Sequence, residues 1–207
     1  MDYDAGVVET DDFALLDAWR AGDRVAGNAL FERHFQAVSR FFKNKVDGGV
    51  EDLVQDTFLA CVESERRFEG RAKFRTFLLG IARNKLLMYY RGKRGDRTTP
   101  LEISVSDMGC QSGSWGSWLA RDQEQRLMLA ALRRLPLETQ MLLELYYWEE
   151  LSGPELAETL ELPHNTIRSR LSRARTALRS KVEELAQNPG LAASTLARLD
   201  REGARPA

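Results

Sequence analysis

Between Leu162 and Lys181 the chain carries six bases (Arg168, Arg170, Arg173, Arg175, Arg179 and Lys181) and no acid. Such a run suits contact with a polyanion. Ile167, Leu171, Ala174 and Leu178 recur at i, i+4, i+7 and i+11, which predicts one apolar helical stripe. Asn165, Ser169, Ser172, Arg173 and Thr176 fall opposite that stripe, with Arg168 and Arg179 on its flanks. A merely solvated amphipathic helix normally mixes charge signs on its polar face. A basic face of small polar side chains without acids points instead to DNA phosphates and base edges.

A second basic block runs from Arg66 to Arg97, with eleven bases against Glu69 and Asp96. These two blocks carry +9 and +6 in a chain of net charge −1, so the remainder carries −16. Segregation of this kind suggests two separate polyanion contacts on an otherwise acidic protein. In the 66–97 block Arg75, Arg83, Asn84, Lys85 and Arg91 interleave with Phe74, Phe77, Tyr89 and Tyr90. Bases beside aromatics suit unpaired nucleic acid, where stacking contributes ~1–3 kcal/mol per base. Helical spacing assigns most of these aromatics to a core, Phe77 and Ile81 in particular, which leaves the 66–73 loop and the basic face for a strand.

Other chemistry has no footing in the sequence. Cys61 and Cys110 lack metal-ligand spacing, and Cys61 falls on an apolar helical face as a small buried hydrophobe. His34 and His164 stand outside any Cys/His/carboxylate cluster, and no phosphate loop or nucleophile elbow occurs. The expectation is a non-catalytic protein with no cofactor, no metal and no small-molecule substrate. The longest apolar runs, such as Phe77–Ala82, fall far short of the ~18 residues that span a bilayer. The acidic start MDYDAGVVETDD does not resemble a signal peptide, so no membrane insertion and a cytoplasmic location are expected.

The elements that must position these residues are helical. Over 207 residues, 43% hydrophobic and 29% charged, apolar positions recur at helical spacing and predict an all-α fold of two small domains. Residues 1–11 read as a disordered N-terminus. Residues 12–95 form the first domain, with a break at Gly22-Asp23, a helix from about Val50 to Glu65, a loop at 66–73 and a helix from Phe74 to Arg91. The Val50–Glu65 helix is expected to turn Leu53, Thr57, Phe58, Cys61 and Val62 inward, and Asp52, Gln55, Asp56, Leu59 and Glu63 outward. Residues 96–121 are rich in Ser, Gly and Thr and read as a flexible linker, with Trp115 and Trp118 in it. Residues 122–186 form the second domain. There Ser152 and Glu155 make a capping-box pattern, Leu156 and Leu160 share a face, and Leu162-Pro163 breaks the helix before His164 or Asn165 starts the basic one. Two short helices joined by a tight turn, the second basic, read as a helix-turn-helix. The 187–207 segment has little to bury and reads as a mobile tail.

Three stretches together resemble the extracytoplasmic-function (ECF) branch of the bacterial sigma factors. EDLVQDTFL at 51–59 is similar to the family's polymerase-binding helix. FEGRAKFRTFLLGIARNKLLMYYR at 68–91 resembles the loop and helix that open promoter DNA, and LSGPELAETLELPHNTIRSRLSRARTAL at 151–178 resembles its helix-turn-helix. The resemblance implies that Asp52, Gln55, Asp56 and Leu59 meet core RNA polymerase. It implies promoter melting by Phe68, Arg71, Lys73, Arg83, Asn84 and Lys85, with a flipped base received in the 66–73 loop. Asn165, Thr166, Arg168, Ser169, Ser172 and Arg173 would meet duplex promoter DNA, and an anti-sigma factor is a further partner of the family. A plain helix-turn-helix regulator is the alternative, but it leaves the basic block at 66–97 without a role.

Overall fold

The computed structural model describes residues 11–43, 45–65, 68–70, 72–94 and 123–202. Expectations for the N-terminal ten residues, for Arg66, Arg67 and Arg71, and for the linker with Cys110, Trp115 and Trp118 lie outside the described residues. Among the described residues all regular structure is helical: α1 Asp12–Arg20, α2 Arg24–Lys43, α3 Val50–Ser64, α4 Phe74–Arg94, α5 Gln123–Arg133, α6 Leu137–Tyr147, α7 Gly153–Leu160, α8 His164–Leu185 and α9 Pro189–Glu202. The breaks fall where glycine and proline place them. Gly22 takes φ of +102° between α1 and α2, a conformation that side chains with a Cβ avoid.

Helices α1–α4 make the N-terminal lobe. Leu16, Leu30, Val38, Phe42, Leu53, Cys61, Phe74, Leu78 and Leu86 are buried in its centre. The Trp19 ring lies directly on Gly27, where an added Cβ would come within 2.7 Å of Cδ1, so α1 and α2 approach closely. Polar contacts fix the entrance to α1. Asp12 accepts a hydrogen bond from Arg33 Nη1 at 2.7 Å, and its other oxygen lies 2.7 Å from His34 Nε2. Arg20 ties the far end of α1 to the Phe68 carbonyl at 2.6 Å and to Glu65.

Helices α5–α8 make the C-terminal lobe, which buries Leu132, Leu137, Met141, Leu143, Leu156, Ile167, Leu171 and Leu178. The predicted stripe of α8 is inward throughout. The two lobes do not stay apart. Helix α4 lies against α7, and the buried apolar residues of both lobes form one continuous cluster.

Two local expectations change. Val62 is 46% exposed, because α3 centres its buried face on Leu53, Val54, Thr57 and Cys61 and turns residue 62 away. Helix α8 starts at His164, one of the two expected starts, with Pro163 as the residue before it; the fixed φ of −57° suits that position, and the Pro163 carbonyl accepts the Thr166 N–H at 2.8 Å. Pro189–Glu202, expected as part of a mobile tail, form α9, which packs on α5 and α8. Asn188 Oδ1 accepts the Leu191 N–H at 2.8 Å, Leu199 and Thr195 are buried, and Arg179 pairs with Asp200.

Leu199 therefore distinguishes a docked helix from a loose tail. We expect Leu199→Ala to lower unfolding free energy by about 2–5 kcal/mol, the usual cost of emptying a buried leucine site. Urea denaturation followed by circular dichroism measures this; a loss under about 0.5 kcal/mol would mean that α9 contributes no packing.

Candidate functional site

The helix-turn-helix forms as its sequence requires. Ser152 and Glu155 make the capping box at the start of α7, with the Ser152 N–H donating to Glu155 Oε2 at 2.7 Å. Burial raises the Glu155 pKa, but hydrogen bonds from Ser152 and the nearby Lys73 outweigh it, so the carboxyl titrates below its ordinary range. Glu161 ends α7 in the left-handed region at φ of +54°, and Leu162 and Pro163 carry the chain into α8.

Helix α8 presents Asn165, Arg168, Ser169, Ser172 and Arg173 to solvent, with Thr166 half-buried beside them. The Ser169 hydroxyl donates to the Thr166 carbonyl at 3.0 Å. The six bases of this helix are not equivalent. Arg170 pairs with Glu138 at 3.0 Å, the Arg175 guanidinium lies 4.8 Å from the Tyr146 ring centre, Arg179 holds Asp200, and Lys181 holds Glu184 at 2.6 Å. Arg168 and Arg173 make no ion pair among the described residues, and both are exposed on the N-terminal half of α8. This is the half that a recognition helix directs into the major groove.

The basic block of α4 is arranged differently. Lys73 is 73% exposed at the helix entrance and lies 2.9 Å from Glu155. Arg75 is held by Glu149. Arg83 lies between Glu161 at 3.6 Å and Glu138 at 3.9 Å, and Asn84 Nδ2 donates to Glu161 at 3.4 Å. Lys85 is half-buried and Arg91 is exposed. Phe68, which the resemblance places among the promoter-melting residues, lies in the core: only 5% exposed, its ring lies 4.8 Å from that of Phe77 and 6.0 Å from that of Phe74. Phe77 and Ile81 pack partly buried against the core. Arg71 lies outside the described residues.

A third surface lies on α3. Asp52, Gln55, Asp56 and Leu59 are all exposed there. Beside them the structure adds Val62 and Phe35, the latter 47% exposed with its ring stacked parallel to Phe58 at 6.4 Å. Sequence periodicity missed Phe35 and Val62 because each follows a buried position on an amphipathic helix and reads as part of the apolar face. Cys61 lies beneath, fully buried, and burial pushes its thiol up to about 12. The described residues hold no cluster of His, Cys, Asp and Glu arranged for a metal, and none of their helices is long and apolar enough to cross a membrane.

The arrangement matches known proteins over both lobes. The family model for sigma-70 region 2 matches residues 30–95, and that for sigma-70 region 4 matches residues 125–178. The ECF RNA polymerase sigma-E factor of Haemophilus influenzae is 28% identical over 186 residues, covering 84% of this chain and 96% of that protein. That of Escherichia coli K12 is 29% identical, covering 84% and 95%. Among solved structures, CnrH in complex with the cytosolic domain of CnrY aligns with a TM-score of 0.62 at 23% identity, over 84% of this chain and 99% of that one. The sigma factor RpoE in complex with the anti-sigma factor NepR from Bartonella quintana aligns with a TM-score of 0.55 at 23% identity, over 77% and 98%. These two likenesses are of fold. With both of its lobes matched in order by sigma-70 regions 2 and 4, the chain belongs to the sigma-70 family, in its ECF group.

Proposed function

We propose that this protein is a non-catalytic, cytoplasmic initiation factor that joins core RNA polymerase to promoter DNA and helps to separate the strands. One observation carries the reading: a chain with a recognition helix also holds an exposed surface on α3 that DNA binding does not need. Asp52, Gln55 and Asp56 there stand beside Phe35, Leu59 and Val62, a mixed apolar and acidic patch suited to a protein partner. A plain helix-turn-helix regulator needs neither that patch nor the α4 bases.

In this reading the α3 patch docks on the polymerase. Arg168 and Arg173 neutralise duplex phosphates, while Asn165, Thr166, Ser169 and Ser172 reach further phosphates or base edges. Lys73, Arg83, Asn84 and Lys85, together with Arg71, hold the separated strand. Leaving the stack costs a base a few kcal/mol, which such contacts would offset. Phe68 supports this surface from below and does not touch the strand. An inhibitory protein partner of the anti-sigma class completes the set, since the neighbour from Bartonella quintana is found in such a complex.

Two measurements test this. Holoenzyme binding to promoter duplex should weaken as salt rises, with a slope of about 0.9 in log affinity against log salt per neutralised phosphate. Arg168→Ala and Arg173→Ala should each lower that slope by about one such step, and a slope unchanged in the double variant would remove these two side chains from the interface. For the α3 patch, Gln55→Lys with Asp56→Lys should leave helix content unaltered and abolish retention on immobilised core polymerase. Solvated surface positions would instead change stability by no more than about 0.5 kcal/mol and leave retention intact, which would favour the plain regulator.

A further inference from the structure

Five glutamates of the C-terminal lobe point at the N-terminal lobe, and each meets a base or an amide there. Glu144 holds Lys45, whose side chain is fully enclosed and whose ammonium also donates to the Phe41 carbonyl at 2.6 Å. Glu149, only 5% exposed, is shared by Arg40 at 2.9 Å and Arg75. Glu155 meets Lys73, Glu138 lies by Arg83, and Glu161 lies by Arg83 and Asn84. The two described non-glycine residues with left-handed backbone, Glu150 and Glu161, are both glutamates on this edge. Glycine would hold either turn without strain. The edge thus keeps carboxylates at two positions where backbone geometry favours having no side chain. Beneath the charges α4 and α7 touch: a Cβ added to Gly80 would lie 3.9 Å from the Thr159 carbonyl oxygen.

A row of carboxylates set against a row of bases reproduces what a phosphate backbone offers. We propose that the acidic edge formed by Glu138, Glu149, Glu155 and Glu161 is an intramolecular competitor of single-stranded nucleic acid for Lys73, Arg75, Arg83 and Asn84. In the free chain the lobes are closed, Lys73, Arg75, Arg83 and Asn84 are occupied, and α7 covers the face of α4 along which a strand would run. Closure and strand binding are mutually exclusive. Lys45 and Glu144 act as the latch: their pair is enclosed and escapes the salt screening that weakens exposed pairs. That the ligand is a promoter strand rests on the function proposed above; that the lobes close on one another over these bases does not.

Apparent affinity for a strand is then reduced by the fraction of molecules that are open. The experiment uses the full chain and a fluorescent oligothymidylate of about 12 nucleotides, with anisotropy reading affinity and small-angle scattering reading the radius of gyration. Gly80→Phe drives a ring between α4 and α7 without changing charge, while Gly80→Ala makes only ordinary contact and serves as its control. Glu149→Gln with Glu161→Gln removes competitor charge and leaves Lys45 and Glu144 paired. Gly80→Phe should enlarge the radius and tighten oligonucleotide binding at least about tenfold, as a chain closed nine-tenths of the time requires. The Gln pair should tighten binding and lower the salt concentration at which the chain expands, with Gly80→Ala like the parent. Retention on core polymerase should survive in all three, so its loss in the parent would count against the proposed function and not against closure. An expanded variant that binds the oligonucleotide no more tightly than the parent would overturn the competition, as would a parent already expanded at low salt. If Gly80→Phe loses helix content by circular dichroism, the Gln pair decides alone: unchanged affinity and unchanged expansion would refute the proposal.

Discussion

A lysine with no access to solvent constrains the rest of this structure. Burial lowers the Lys45 pKa, and Glu144 supplies the compensating charge from the other lobe. The Tyr90 hydroxyl donates to the Lys45 carbonyl and holds the backbone at that point. Two ions taken from water lose several kcal/mol of hydration each, so a pair of this kind adds little net stability but strongly penalises any arrangement that leaves one partner alone. The pair therefore specifies how the lobes meet more than it strengthens their meeting. Favourable energy comes from the apolar surface that the lobes bury together, in a cluster running from Leu16 to Leu199.

Helix α4 carries the most duties. Leu78, Leu79, Ala82 and Leu86 face the core. Arg75, Gly80 and Arg83 face the C-terminal lobe, and Met88 and Arg91 remain exposed. One helix is thus core element, lobe contact and candidate strand-binding surface. Arg75 and Arg83 on α4, and Lys73 just before it, are partnered by carboxylates, whereas Arg168 and Arg173 on α8 are exposed and unpaired among the described residues. In the proposed reading the two basic surfaces differ in readiness: Arg168 and Arg173 are bare, whereas Lys73, Arg75 and Arg83 must first exchange partners.

The C-terminal helix extends this logic. Asp200 of α9 holds Arg179, while Arg175 turns its guanidinium onto Tyr146. Four of the six bases counted along α8 have partners within the fold, and the two that remain lie near its N-terminal end. The exposed, unpaired bases of α8 are thereby concentrated toward one end of the helix, and the other end serves packing.

Much of this was legible in the sequence for a plain reason: periodicity, capping and glycine or proline breaks are local, and helices obey them. The break at Gly22, the starts of α3 and α4, the capping box at Ser152 and the inward stripe from Ile167 to Leu178 all follow from residues within a few positions of one another. The outward placement of Asp52, Gln55, Asp56, Leu59, Arg168 and Arg173 follows from the same rule. What sequence could not determine depends on surfaces supplied from far along the chain. Phe68 looked like a loop aromatic because its partners, Phe74 and Phe77, enclose it only when α4 folds back. Residues 189–202 looked loose because the surface that Leu199 fills belongs to α5 and α8. The partners of Lys73, Arg75 and Arg83 were not legible because the glutamates that meet them lie roughly 55 to 80 positions later, and a charge count has no geometry. Local rules decided how most helix faces turn, Val62 and Phe35 excepted, and tertiary packing alone decided which side chains meet a partner.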